Sequence, residues 1–447
     1  MQWSVTGRLV RHPAQATVLA FAAAIVVGAV LLALPVSRSG DGAAPLLTAL
    51  FTATSAVCVT GLVTVDTGTY WSTFGEVVIL ALIQVGGFGI MTLASLLGLI
   101  VARRLGLRTR LTAAAETKSL GIGDIRALLV GVAKVTLAFE AVVAVMLTAR
   151  FMIGYDEPLG RAAYLGVFHA VSAFNNAGFG LYADSLMGFV NDPYVCLPVA
   201  VAVIFGGIGF PVVLELRRRV APALWSLHTK LTIGTTLLLL VAGTALTVVG
   251  EWSNGATLGG MGMAQKLHAG FFHSTMTRTA GFNSLDIGAM NEETWLATIT
   301  LMFIGGGSAG TAGGIKVTTF IVLFYVIVAE VRGDRDNNVV DRRIDPRVPR
   351  QALTVALLGV GAVVGGTLTL MQMTTFSLGQ AMFEVTSAFG TVGLSTGVTP
   401  DLPPLGQVLL VLLMFVGRLG PITLVSALAL RQRQQRYRLP EGRPIIG

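Results

Sequence analysis

The stretch TSAVCVTGL, Thr54 to Leu62, decides the fold because the chain repeats it. VSAFNNAGF (Val171 to Phe179), STMTRTAGF (Ser274 to Phe282) and TSAFGTVGL (Thr386 to Leu394) superimpose on it without a gap. Each copy carries glycine in eighth place (Gly61, Gly178, Gly281, Gly393), followed by Leu or Phe. Each also has a phenylalanine ten residues before that glycine (Phe51, Phe168, Phe271, Phe383). Self-similarity of this kind marks a unit used more than once, here of roughly 100 residues. The unit begins with an apolar run. A short amphipathic segment of about 12 residues leads into the glycine motif, and a second apolar run and a basic loop follow. The second run has its own signature: QVGGFG (Gln84 to Gly89), IFGGIG (Ile204 to Gly209), FIGGGS (Phe303 to Ser308) and FVGRLG (Phe415 to Gly420). The repeats divide the chain at 1–110, 111–225, 226–345 and 346–447.

Composition names the medium. Of 447 residues, 53% are hydrophobic and 12% charged, against about 25% charged in soluble domains. Long apolar runs cover Thr17 to Val36, Val199 to Leu214, Leu231 to Val249 and Leu353 to Leu370. Such runs lack the polar face of a soluble helix and suit the hydrocarbon core of a bilayer. The fold expected is an all-α polytopic membrane protein: four membrane–pore–membrane repeats around one central pore, with eight spans and four re-entrant pore helices. Of the 31 Lys and Arg, 23 fall at Arg8 and Arg11, in 103–126, 217–230 and 330–350, and in the tail from 431. Basic loops beside membrane spans stay in the cytoplasm, so the termini and basic loops are expected on the cytoplasmic side of the cell membrane. Topology accounts for the net charge of +8, and no nucleic-acid partner is expected. No cleavable signal peptide is expected, because the first apolar run is long enough to span. Cys58 and Cys196 have no metal spacing and read as small apolar residues.

A segment of about 12 residues is too short to cross and reads as re-entrant. Irregular backbone at membrane depth is tolerated only inside protein or beside water. Four such segments meet that demand together by converging on one axis. Glycine permits the positive φ that aims successive carbonyls one way, and a ring of carbonyls replaces the hydration shell of an ion. The short helices would point their negative C-terminal ends at the axis, which favours a cation. Close helix packing explains one small-residue motif as well, but four gapless copies between apolar runs favour the ring. The expected filter comprises Val59, Thr60, Gly61 and Leu62; Asn176, Ala177, Gly178 and Phe179; Thr279, Ala280, Gly281 and Phe282; and Thr391, Val392, Gly393 and Leu394.

TATSAVCVTGLVTVDT, STMTRTAGFNSLDIGAMN, GGGSAGTAGGIKVTT and SAFGTVGLSTG are specific matches. On these residues, and over nearly the whole chain, the sequence resembles the Trk/Ktr/HKT superfamily of potassium transporters, most closely the KtrB family of bacterial Ktr systems. The resemblance implies potassium as the substrate, with sodium as a candidate activator and no cofactor in this chain. It implies a homodimer in the lipid bilayer with one pore per subunit, and a cytosolic ring of nucleotide-binding, KtrA-like RCK subunits. Gly61 resembles the potassium-favouring form, since plant relatives with serine there transport sodium. Asn175 and Asn176 depart from a symmetric potassium filter.

Arg278 stands in the third motif, where a bare cation would repel the ion. A charge in a membrane is normally paired, so Arg278 is expected to form a filter-supporting ion pair with Glu384. Arg418 interrupts an apolar run and is expected to face the pore as a barrier. The run from Gly305 through Gly306, Gly307, Ser308, Ala309, Gly310, Thr311, Ala312 and Gly313 to Gly314 cannot hold a helix at membrane depth. It is no phosphate loop, because Ile315 separates the glycines from Lys316. It matches the family's intramembrane gate. An enzyme is not expected: neither G-x-S-x-G nor HExxH occurs, and His169 and His273 read as scaffold residues. An alternating-access carrier would need inverted repeats, whereas these share one orientation. A sodium-permeable or sodium-coupled transporter of the same fold is the alternative.

Overall fold

The computed structural model describes residues 13–104, 125–219, 221–334, 336–340 and 342–420. Arg8, Arg11, most of the basic stretch 103–126 and the basic tail lie outside the described residues. Within them the chain is mostly helical. Helix α1 (Pro13–Leu32) is followed by α2 (Leu46–Val57), the one-turn α3 (Thr67–Tyr70) and α4 (Thr73–Arg104). Next come α5 (Ile125–Tyr155), α6 (Leu159–Phe174), α7 (Pro193–Ile208) and α8 (Phe210–Arg217). Then follow α9 (Leu227–Gly250), α10 (Met263–Met276), α11 (Glu292–Phe303) and α12 (Val317–Arg332). A small hairpin, β1 (Asn338–Val339) and β2 (Arg342–Arg343), precedes α13 (Arg347–Met373), α14 (Leu378–Gly390) and α15 (Pro404–Leu419).

Helices α1, α4, α5, α9 and α13 are long and apolar enough to cross a membrane. Their outer faces expose aliphatic side chains such as Val26, Val30, Val145, Val241 and Leu357. Water would penalise so much exposed apolar surface, whereas lipid matches it. The apolar run from Val199 to Leu214 departs from a straight span. Helices α7 and α8 meet at 102°. Gly209 at the junction has φ +96°, and Pro211 opens α8 without an amide hydrogen to continue the ladder. A second interruption separates α11 from α12 across residues 304–316.

Four short helices, α2, α6, α10 and α14, have 12, 16, 14 and 13 residues. All four stop inside the repeated motif. In each case the long helix before it packs along it: α1 on α2, α5 on α6, α9 on α10 and α13 on α14. Phe51, Phe168 and Phe383 are buried, and Phe271 is half-buried beside the buried Phe272. Cutting one of the buried rings to alanine would leave a cavity and cost about 3–5 kcal/mol. The glycines of the second signature let the following helix approach these ends. A Cβ at Gly86, Gly206 or Gly417 would lie 2.8, 3.0 or 2.8 Å from the carbonyl carbon of Val57, Phe174 or Phe389. Cys58 and Cys196 are buried and unbridged.

Candidate functional site: a ring of four glycine loops

Beyond each short helix the backbone turns left-handed twice. Val59, Asn176, Thr279 and Thr391 have φ of 55°, 59°, 73° and 49°. Two residues later Gly61, Gly178, Gly281 and Gly393 have φ of 89°, 69°, 71° and 95°. The four loops close on one another. A Cβ on Gly61 would lie 3.1 Å from Cα of Gly178, on Gly178 2.9 Å from Gly281, on Gly281 3.0 Å from Gly393, and on Gly393 3.1 Å from Gly61. That cycle is a ring in chain order with no room for a side chain toward the neighbouring loop. It brings all sixteen expected filter residues into four adjacent turns. The first, second and fourth loops are pinned alike. Thr60, Ala177 and Val392 donate their amides to the carbonyls of Ser55, Ser172 and Ser387 at 2.7, 2.7 and 2.8 Å. The amides of Gly61 and Gly393 donate to the hydroxyls of Ser55 and Ser387. The third loop differs, for Ala280 bonds to the carbonyl of Met276.

The expected ion pair between Arg278 and Glu384 does not form. Arg278 is buried and donates instead to the carbonyls of Thr236 (3.2 Å) and Gly305 (3.4 Å) and to the Thr236 hydroxyl (3.5 Å). Glu384 accepts from the hydroxyls of Ser395 (2.6 Å), Thr399 (2.7 Å) and Thr396 (3.3 Å) and from the Thr396 amide (2.9 Å). Each charge is solvated by its own end of the protein: backbone carbonyls take the cation, hydroxyls and an amide the anion. Glu384 thereby ties α14 to the segment leaving the fourth loop. A second brace was not anticipated. Glu140, in the apolar α5, accepts from Asn175 Nδ2 (3.0 Å), which also donates to Gln84 Oε1 (2.9 Å). The lone carboxylate in LAFEAVVAV was the available signal, since ionisable groups at membrane depth are rarely idle. His169 and His273 do bond to scaffold, through Leu165 O and Thr298 Oγ1.

Residues 305–314 pack against the second and fourth loops of the ring, through Thr311 on Asn176 and Gly313 on Thr391. Their backbone groups find partners mainly on the α7–α8 bend. The amides of Gly307 and Thr311 donate to the carbonyls of Gly207 (2.8 Å) and Gly206 (3.1 Å), and Phe210 donates to Ala309 (3.2 Å). Gly305 donates to Ile315 (2.8 Å), closing the base of the segment. The hydroxyls play a smaller part in satisfying backbone than their positions imply. Ser308 pairs with Thr318 at 3.1 Å. Thr311 Oγ1 donates to Asn176 Oδ1 at 2.8 Å and contacts Phe174 O at 3.3 Å. Arg418, buried on α15, donates from Nη1 to Thr311 O and from Nη2 to Gly86 O at 3.1 Å. Lys316, missed in the sequence, donates from Nζ to Ala312 O at 2.5 Å. The segment, α4, the α6 loop and α15 thus meet at one point beside the ring. Two cations, the buried Arg418 and the half-buried Lys316, stand there without a carboxylate partner among the described residues.

Comparison with known proteins places nearly the whole chain beside cation transporters. The TrkH family, described as cation transport protein, matches residues 6–438. The chain is 41% identical to the Ktr system potassium uptake protein B of Bacillus subtilis over 439 residues, 97% of each chain. It is 37% identical to the protein of the same name from Vibrio alginolyticus, covering 96% of this chain and 94% of the other. It is 34% identical to the potassium/sodium uptake protein NtpJ of Enterococcus hirae, with 97% of each covered. In fold it is similar to the crystal structure of the potassium transporter TrkH from Vibrio parahaemolyticus, with a TM-score of 0.75 at 18% identity over 96% of this chain and 87% of that one.

Proposed function

The chain belongs to the TrkH family of cation transport proteins, and we propose that it takes up potassium across the cytoplasmic membrane. It is a multi-pass membrane protein with several apolar helices. The reading rests above all on the closed ring of Gly61, Gly178, Gly281 and Gly393 at the ends of four short helices. In this reading each repeat (1–110, 111–225, 226–345, 346–447) supplies two spans and one loop, so eight spans and four re-entrant helices surround one pore. An ion entering the ring exchanges water for backbone oxygens, and those oxygens must be held in place to favour one ion radius. The inward C-termini of α2, α6, α10 and α14 add negative potential for a cation.

Residues 305–314 and Arg418 close the path below. A guanidinium in a narrow, poorly hydrated passage opposes a cation by several kcal/mol, and its bonds to Thr311 and Gly86 hold the segment across the route. Movement of α12 and α15 would part them. The Ktr system names of the relatives support a multi-component system, and in this reading the chain forms a homodimer on a cytosolic nucleotide-binding RCK ring. The cytoplasmic basic loops supply the docking face, and sodium acts as activator. A second reading is supported by Asn175 and Asn176 in the second loop and by the name potassium/sodium uptake protein of one relative: sodium also permeates. Expression in a bacterium lacking its potassium transporters tests the proposal. Growth at low potassium is expected, and failure of the membrane-inserted protein to restore potassium uptake overturns it.

A further inference from the structure

We propose that Thr311 is a positioning residue for ion selection. Its hydroxyl holds Asn176 of the second filter loop, so the gate segment at Thr311 also sets how well the filter separates potassium from sodium. The inference rests on the filter reading above. Four residues occupy the same left-handed position in the four loops: Val59, Asn176, Thr279 and Thr391. Among them Val59 has no polar group, and the hydroxyls of Thr279 and Thr391 are buried without a partner. Asn176 alone reaches the gate segment by a side-chain hydrogen bond, accepting from Thr311 at 2.8 Å. Its Nδ2 is buried without a partner, so Thr311 is the anchor that this side chain has among the described residues.

The anchor itself is fixed. The Thr311 amide is held by Gly206 O at 3.1 Å, and its carbonyl by Arg418. Arg418, Thr311 and Asn176 therefore form one chain of contacts from the gate to the filter. Asparagine tolerates the left-handed region better than most residues, and here the bond from Thr311 fixes its side chain within that turn. Without the bond from Thr311, Asn176 loses its side-chain anchor, and the turn that aims the carbonyls of Asn176 and Ala177 relaxes. The third loop is linked independently, through Arg278 to Gly305 O. The bond to Asn176 stays in place when Arg418 withdraws from Thr311 O, so the conducting state still selects through it.

The test uses the full chain reconstituted in liposomes, with sodium and potassium flux measured for wild type, Thr311→Val, Thr311→Ser, Asn176→Ala and the double variant Thr311→Val/Asn176→Ala. Total flux also responds to loosening of the gate, so the flux ratio is the readout. Thr311→Val is expected to raise the sodium-to-potassium ratio roughly fivefold, the factor that one ordinary hydrogen bond represents. Thr311→Ser, which keeps the hydroxyl, is expected to stay at the wild-type ratio. The double variant should add nothing to the single ones, because both remove the same bond. An unchanged ratio in Thr311→Val, or additive shifts in the double variant, overturns the proposal. If Thr311→Val does not yield folded protein, Asn176→Ala decides, and an unchanged ratio there overturns it equally. Wild type that selects potassium while the variants match it rejects this inference alone. Wild type that moves no potassium rejects the filter reading beneath it.

Discussion

Gly61→Ser puts the ring under direct strain. Gly61 has φ +89°, and a Cβ there would lie 3.1 Å from Cα and 3.2 Å from the carbonyl carbon of Gly178, and in contact with Ala177 O. All three atoms are backbone, so no flexible side chain can swing away. Holding an L-residue in the left-handed region costs about 1–2 kcal/mol before any clash. The clash adds to it, and the cheapest relief is to push the first and second loops apart. A ring that widens fits the larger ion less tightly and loses its preference. Ion discrimination changes tenfold for every 1.4 kcal/mol or so, so a total of about 1.5–3 kcal/mol predicts a ten- to hundredfold loss of potassium preference. The assay is potassium and sodium flux in liposomes, with Gly61→Ala beside Gly61→Ser. The Cβ effect appears in both variants, and any extra change in serine belongs to its hydroxyl as a ligand. Wild-type ratios in both variants, from folded protein, would refute the placement of Gly61 in the filter.

Arg418→Ala removes the hydrogen bond to the gate segment at Thr311, the one to Gly86 on α4, and the opposing charge; potassium flux without any cytosolic partner is expected to rise at least roughly tenfold, and equal or lower flux would move the gate elsewhere. Glu384→Gln disturbs a buried carboxylate with four hydrogen bonds; it should cost about 1–3 kcal/mol, seen as a lowered thermal midpoint in detergent, and an unchanged midpoint would deny the brace. Glu251, just past α9, accepts from Thr257, Asn254 and Thr294 side chains and the Asn291 amide. Burial pushes its pKa up, but these bonds together outweigh it and hold the carboxyl below its ordinary 4.5. A depressed folded value means the stabilisation is present above pH 4.5 and is lost as the pH falls through the folded value. Thermal midpoints measured down that range should drop more steeply in wild type than in Glu251→Gln, and parallel curves would refute the linkage.

What was legible beforehand was what repeats. The four glycine motifs, their phenylalanines and the following small-residue signatures share one frame, and the structure turns that frame into four short helices ending at one ring. The bend at Gly209 was hidden because a uniformly apolar run carries no periodicity that marks a break; only the Gly209 and Pro211 pair hinted at it. The partners of Arg278 and Glu384 were hidden for a different reason. Charge in a sequence says that a partner is needed, not that it be an opposite charge. Backbone carbonyls of Thr236 and Gly305 serve the arginine, and three hydroxyls and an amide serve the glutamate. Contacts between distant parts, such as Thr311 with Asn176 and Glu140 with Asn175, depend on how helices pack and leave no spacing to read.

The central claim is that the four loops bind the transported ion on their common axis. Crystals of the protein soaked in thallium, which substitutes for potassium and scatters anomalously, test it most directly. The account predicts anomalous density inside the ring of Gly61, Gly178, Gly281 and Gly393, diminished when excess potassium competes. Density only at other places, or density in the ring that potassium does not displace, would contradict it.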